Sequence, residues 1–306
     1  MFFDAPSVPA TLGSIICFLS LAILAVGLRF QARHELRQGI QIDDWLALCG
    51  LLGVIGITSM LFAGVRITSL GYPWIESEDP TYLKLIMAIK FEVSSLIIFA
   101  ATNGFIKLSV LFFYRRIFVV DKALSSARNL LFCTMIILIA MWSVVYTFTF
   151  TFMCGTRFDV LVGESEDDPA IYCVDTLKVG YSYAISDFIS DAIIILIPIP
   201  FILKLHLPPL RKAGVIGVFM LGVLASAASL VRLAWMVWNQ KVGFQDSLDN
   251  ELMITTELYW MNLEITLGLL ACCLPSLRGL LKSSSVSRVI YFYRFELALS
   301  FYAASI

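Results

Sequence analysis

At 306 residues, with 59% hydrophobic and only 15% charged side chains, the chain has too little polar surface to coat a soluble domain of its size. Its mean hydropathy of +0.86 excludes a soluble enzyme or binding module and points to one membrane domain that uses nearly all of the sequence. The formal net charge of −1 says nothing about partners until the charges are sorted by side of the membrane.

Seven apolar stretches meet the roughly 20 residues that a helix needs to cross a bilayer core of about 30 Å. They predict an all-α membrane protein, a seven-transmembrane helix bundle over residues 10–282 followed by a tail at 283–306. The first span, about 10–30, has no Lys or Arg before it, and Arg29, Arg33 and Arg37 come at its end and after it. A cleaved signal peptide has the opposite charge order and a shorter core, so a retained helix with its N-terminus outside is expected. The second span, about 43–65, opens on Asp43-Asp44-Trp45. Carboxylates there suit the positive end of the helix dipole and Trp suits the interfacial belt, so capping is the expected role. An acidic link with Glu76, Glu78 and Asp79 follows.

The third span, about 84–115, carries Glu92, Asn103 and Lys107 and closes on Tyr114-Arg115-Arg116. Basic anchoring explains those two Arg residues, and a receptor would use the same position to contact a cytosolic transducer. After a basic link with Lys122 and Arg128 comes the fourth span, about 129–153. The next link is acidic, with Asp159, Glu164, Glu166, Asp167, Asp168 and Asp175, and it also holds Cys154 and Cys173. The fifth span, about 178–203, contains Asp187 and Asp191, then Pro198 and Pro200, which free backbone carbonyls and can kink its end. Lys204, Arg211 and Lys212 precede the sixth span, about 212–238, with Arg232 in it. Asp246, Asp249 and Glu251 precede the seventh, about 252–276, which carries Glu257, Trp260 and Glu264. Beyond Pro275, leucines alternating with Arg278 and Lys282 suit a short interfacial helix, and the apolar stretch at 289–306 is too short for a comfortable eighth span.

Most of the 22 basic residues therefore fall in alternate links. Lys and Arg in short links stay cytosolic, which predicts the N-terminus outside and the C-terminus in the cytosol. Cys154 and Cys173 then face an oxidising compartment, and a disulfide between them is expected. The other five cysteines sit in apolar spans as small fillers.

Ionisable groups at membrane depth are the strongest chemical signal, because each costs about 2.5–3.5 kcal/mol at a helix centre. Asp187 and Asp191 share a helix face at i and i+4, Glu257 and Glu264 at i and i+7, and Asn103 and Lys107 at i and i+4. Depth along each span suggests an inner layer of Lys107, Asp191 and Glu264, and an outer layer of Arg232, Asp187, Glu257 and Glu92. Carboxylates outnumber cations, so a protonated carboxyl, a hydrogen bond to Asn103, Tyr181 or Tyr183, or a cationic ligand is required. Structural ion pairs that fix helix register, a polar ligand site or switch network, and catalysis by carboxylates all remain open.

Motifs of other kinds are missing. The two histidines, His34 and His206, are far apart, and no His-Glu-x-x-His or Gly-rich phosphate loop occurs, which argues against zinc and nucleotide chemistry. A carboxylate-based cyclase or isomerase would need none of these. No repeat or pair of matched broken spans marks a secondary transporter.

Several local strings add a resemblance: Asp43-Asp44-Trp45; Lys107-Leu-Ser-Val-Leu-Phe-Phe-Tyr-Arg-Arg-Ile-Phe118; Asp191 with Ile197-Pro198-Ile199-Pro200; Ala228-Ser229-Leu230-Val231-Arg232-Leu233; Trp260 and Glu264 with Leu274-Pro275-Ser276-Leu277-Arg278. In this order the chain resembles the fungal rhodopsin-domain integral membrane proteins of the satratoxin-cluster type, kin to fungal surface-sensing G-protein-coupled-receptor-like proteins. One departure is Gly64-Val65-Arg66-Ile67, where the family commonly has Gly-x-Gly-x-His. The resemblance implies a receptor-like protein sensing a small molecule or surface cue, or else a membrane protein of a mycotoxin cluster. Expected partners are membrane lipid, a small-molecule ligand and a cytosolic transducer, with no nucleic acid; the expected site is plasma membrane or endomembrane. No cofactor is expected, since a retinal Schiff base needs a Lys that the seventh span lacks.

Overall fold

A computed structural model describes residues 8–35, 37, 39–72, 83–118, 125–163, 169–197, 209–242 and 250–282. Among the described residues, seven long helices and two short ones make up the regular structure: α1 (Val8–Glu35), α2 (Ile42–Arg66), α3 (Leu83–Phe118), α4 (Ser125–Thr151), α5 (Phe158–Leu161), α6 (Pro169–Tyr172), α7 (Thr176–Leu196), α8 (Pro209–Val242) and α9 (Asn250–Lys282). Each long helix contains an apolar stretch long enough to cross a bilayer. Without water to receive backbone N–H and C=O groups, such stretches satisfy them internally, and the helix is the solution open to a single segment.

Polarity runs opposite to that of a soluble protein. On α4, Leu130, Ile137, Leu138, Met141, Val144, Val145 and Phe148 are exposed, while Arg29, Lys107, Asp187 and Arg232 are buried on other helices. Apolar side chains face the surroundings and ions face inward, as expected where lipid is the solvent. The chain is a multi-pass, all-helical membrane protein.

Helix ends follow local chemistry. The backbone N–H of Gln41 donates to Asp44 Oδ2 at 3.1 Å, which fixes the entry to α2. α2 closes where Ser69 and Leu70 N–H both reach the Gly64 carbonyl at 3.0 and 3.2 Å, with Thr68 at a φ of 59°. Asp175 opens α7 by accepting from Lys178 N–H at 3.1 Å. Cys154 and Cys173 form a disulfide that joins the end of α4 to the segment before α7, over a separation of 19 residues. α5 and α6 lie inside that loop and were not anticipated, since four-residue helices leave no periodic signal.

The fifth span was expected to reach residue 203; α7 ends at Leu196, and the Pro198–Pro200 kink lies outside the described residues. So do the acidic-link residues Glu76, Glu78, Asp79, Glu164, Glu166, Asp167, Asp168, Asp246 and Asp249, the basic Lys122 and Lys204, the side chains of Arg278 and Lys282, and residues 283–306.

Helix neighbours run α1–α2–α3–α4 on one side and α7–α8–α9 on the other, with α9 returning to α1, α2 and α3. α4 meets α7 through Trp142 Nε1, which donates to Ser186 Oγ at 2.9 Å, and Tyr146 OH, which donates to Ser182 Oγ at 3.2 Å. The apolar core between α1, α2, α3 and α9 is built on Val26, Val54, Ile57, Leu61, Ile265 and Leu269. Two glycines set closest approach: a Cβ on Gly53 would overlap the Thr102 side chain of α3, and one on Gly104 would overlap Ser143 of α4. Small residues at such crossings are the membrane substitute for hydrophobic attraction between helices.

At the loop end, hydrogen bonding to the Arg157 side chain holds the Asp159 carboxyl below the usual range, and hydrogen bonding to the Lys178 side chain does the same for Asp175. Whatever these exposed pairs add to stability is present above the ordinary carboxylate pKa of about 4 and is lost as pH falls through the lowered one.

Valine at Gly53 or Gly104 is expected to destabilise the purified protein by about 1–3 kcal/mol, read as a lowered Tm in detergent, whereas valine at the unobstructed Gly27 is expected to leave Tm nearly unchanged. A non-reducing peptide map is expected to recover Cys154 linked to Cys173; opening that loop of about 19 residues should cost roughly 3 kcal/mol.

Candidate functional site

Midway along the bundle, α3, α7, α8 and α9 each send charged side chains inward. Lys107 Nζ lies 2.6 Å from Asp187 Oδ1 and 2.9 Å from Asp191 Oδ1, and donates also to the Asp187 carbonyl at 3.0 Å and to Ser190 Oγ. Arg232 places Nη2 2.8 Å from Asp187 Oδ2 and Nε 2.9 Å from Glu264 Oε2. Asp187 is thus shared, one oxygen to each cation. Asn103 Nδ2 donates to Asp187 Oδ1 at 2.8 Å and, at 3.4 Å, to Glu264 Oε1 and Tyr183 OH. Ser229 Oγ donates to Asp191 Oδ2 at 3.3 Å.

Aromatic faces complete the cage. Lys107 Nζ sits 5.0 Å from the Trp142 ring centroid, and the Arg232 guanidinium lies 4.8 Å from Phe99 and 5.3 Å from Tyr183. The fully buried Tyr183 also packs on Trp142, Tyr146 and Phe150, with ring centroids 5.0–5.4 Å apart.

The two expected layers are in fact one network. Lys107, assigned to the inner layer, takes Asp187 from the outer one, and Glu264 pairs with Arg232 rather than with Lys107. Depth was reckoned by residue position, but long Lys and Arg stems span about one helical turn of 5.4 Å and erase such a difference. The three carboxylates Asp187, Asp191 and Glu264 place an oxygen each within 4.8 Å of one another, the spacing of a metal site. Lys107 and Arg232 bring two positive charges against these three carboxylates.

Two of the candidate residues stand apart. Glu257 faces a cavity nearer the end of the bundle that carries the acidic links, together with Glu92. Trp260 is half-buried and packs edge-on against Tyr259, with centroids 5.9 Å apart, without a hydrogen bond to the network. The cavity, of about 270 Å³, lies between α3, α4, α7, α8 and α9 under the disulfide and α5, and Phe150 forms part of its wall.

At the opposite end, the basic-link end, a clamp was not foreseen. Arg29 is fully buried: Nε donates to Asp44 Oδ1 at 2.8 Å, Nη2 to Asp43 Oδ2 at 2.7 Å and Nη1 to the Cys272 carbonyl at 2.7 Å. Arg33 adds Nη2 to Asp43 Oδ2 at 2.7 Å, and Ser109 Oγ donates to the Asp43 carbonyl at 2.6 Å. Asp43 and Asp44 therefore do more than cap α2; they join α1, α2, α3 and α9. Arg29 and Arg33 looked like ordinary basic-link residues, and their i, i+4 spacing just before an acidic pair was the available signal. Arg115, a candidate transducer contact, donates from Nε to Asn129 Oδ1 at 3.0 Å and so ties α3 to α4; Arg116 is half-buried in the same turn.

Removing one member of a buried pair strands the other, at about 3–5 kcal/mol. Asp187→Asn, which weakens the hold on two cations, is expected to lower Tm more than Asp191→Asn, and Arg29→Ala more than Arg33→Ala, in thermal unfolding of the detergent-purified protein.

Comparison with known proteins bears on what such a site serves. The chain is 25% identical over 282 residues to the polyenoic acids biosynthesis gene cluster protein Ba17b of Metarhizium anisopliae, covering 90% of this chain and 74% of that protein. It is 25% identical over 289 residues to Receptor GIN3 of Arthrobotrys oligospora, covering 90% of this chain and 62% of the receptor. A shorter match, 30% identical over 122 residues, joins 40% of this chain to 29% of fugralins biosynthesis cluster protein 2 of Gibberella zeae. No solved structure matches. The fungal rhodopsin domain matches residues 28–283, and on that extent the chain belongs to the fungal rhodopsin domain family.

Proposed function

We propose that this protein is a receptor-like membrane protein that takes a small-molecule cue from the acidic-link side and passes the change to a cytosolic transducer. The orientation follows from the charge of the links: the N-terminus and the disulfide loop face outside or a lumen, and the clamp and Arg115 face the cytosol. The observation that carries the reading is the unbroken column from cavity to network. Phe150 lines the cavity and packs on Tyr183 at 5.4 Å; Tyr183 accepts from Asn103 and lies beside Arg232, which pairs with Asp187 and Glu264. A ligand that moves Phe150 acts on an ion-pair network with several alternative pairings, and a rearrangement of pairs is how a small shift becomes a change of state. Similarity to a protein named a receptor supports this reading. Retinal has no part in it, because no Lys is available on the membrane-spanning stretch of α9.

A second reading has its own support. Two relatives are named as biosynthesis cluster proteins, and a membrane protein of a secondary-metabolite pathway would use the same carboxylates as acid–base groups or as an accessory site. The two separate in a deletion strain. Loss of a response to an external cue with an unchanged metabolite profile is expected; loss of a metabolite with the response intact would overturn the receptor reading.

Within the receptor reading, Glu264→Gln is expected to shift the dose–response of a complemented strain by roughly tenfold at equal protein level. Arg115→Ala is expected to abolish transducer coupling, read by co-purification of the transducer, without moving ligand affinity.

A further inference from the structure

The cavity under the disulfide loop has a composition that specifies its ligand. Its walls are mostly apolar, with Ile89, Val93, Leu96, Phe150 and Met153 among them, and among the described residues its only charged lining residues are Glu92 and Glu257. Glu257 is 8% exposed and, among the described residues, neither it nor Glu92 makes a hydrogen bond or ion pair. Glu257 is the charged neighbour that acts on Glu92. Arg232 is the basic residue whose charge reaches Glu257, but its Nε and Nη2 are engaged with Glu264 and Asp187. Lys107 is likewise engaged, with Asp187 and Asp191.

Two carboxylates lining one largely apolar space without a protein partner are costly, and the cost is relieved by water in the cavity, by a proton taken up on one of them, or most fully by a cation brought from outside. A volume of about 270 Å³ lies just below the roughly 300–1,000 Å³ typical of small-molecule sites, so the ligand is compact. Thr176 and Tyr181 also line the space, and a hydroxyl from either side chain could orient a polar head. A metal ion fits poorly against a wall of hydrocarbon; an organic cation matches both halves.

The geometry points to a binding site for a small amphipathic primary amine, its ammonium between Glu92 and Glu257 and its apolar body against Leu96, Phe150 and Met153. This names the ligand class of the receptor-like reading and rests on it. An amine seated there neutralises the pair and presses on Phe150, the first ring of the column leading to Tyr183. A neutral or anionic molecule of the same shape leaves the carboxylates unpaired and is rejected, because a site built for a polar partner penalises the analogue that lacks it.

The probe is phenethylamine, with phenethyl alcohol and hydrocinnamate as neutral and anionic isosteres, titrated against the full chain in lipid nanodiscs by calorimetry. Saturable binding of the amine is expected, at least tenfold tighter than of either isostere, and weakened at least tenfold by Glu257→Gln and by Glu92→Gln. Equal binding of amine and alcohol, or undiminished amine binding in the double variant, would overturn the site. Should the variants fail to fold, the wild-type protein suffices: the amine, and neither isostere, is expected to protect Glu257 from a hydrophobic carbodiimide, and absence of protection would also overturn it. The receptor reading fails separately. Amine binding without any cellular response sinks that reading and leaves the site, whereas a response to an external cue that survives in the double variant leaves the reading and sinks the site.

Discussion

A charge in a bilayer is tolerated only where an opposite charge and hydrogen bonds replace the water it has lost, and here that replacement turns on Asp187. Its two oxygens hold different cations from different helices, Lys107 of α3 and Arg232 of α8. Through those cations the ties extend to Asp191 on its own helix and to Glu264 on α9. Four helices therefore meet at one carboxylate that is itself fully buried. Lipid offers the bundle no hydrophobic drive to hold α7 and α8 in register, so polar contacts and close packing must do it.

Three tiers follow along the axis, and two helices thread all of them. α3 supplies Glu92 to the cavity, Asn103 and Lys107 to the network and Ser109 to the clamp; α9 supplies Glu257, Glu264 and Cys272 in the same sequence. On α9 the spacings of seven and eight residues keep all three on one inward stripe; on α3 Glu92, Asn103 and Lys107 share a stripe, while Ser109, two residues further on, turns to α2. The aromatic cluster around Tyr183 fills the space between cavity and network, where a hydrogen-bonded chain would otherwise have to cross apolar packing.

The seven spans and the cysteine pair were plain in the sequence because both rest on local, additive signals: length of apolar run, and two cysteines in one acidic loop. The inward-facing ions were also legible one by one, since the insertion cost makes each conspicuous. Their pairing was not. Which carboxylate a long basic side chain reaches depends on helix rotation and crossing, and residue counting placed Lys107 with Glu264 when Arg232 takes that partner. The clamp stayed hidden for a different reason: Arg29 and Arg33 satisfy the pattern of a basic link so well that nothing marks them as buried. Trp260 shows the converse, a conspicuous residue one helical turn before Glu264 whose ring packs against Tyr259 instead.

The family match and the named relatives agree on the scaffold and divide on its use, one being called a receptor and two being called cluster proteins. The clamp bears on how any such scaffold can move. Arg29, Arg33, Asp43, Asp44, Ser109 and the Cys272 carbonyl bolt α1, α2, α3 and α9 together at one end. Among the described residues α7 and α8 have no share in those bonds. Four of the seven long helices are therefore fastened to one another at that end, while the described parts of α7 and α8 are tied to α3 and α9 halfway along, through the shared carboxylate and its two cations.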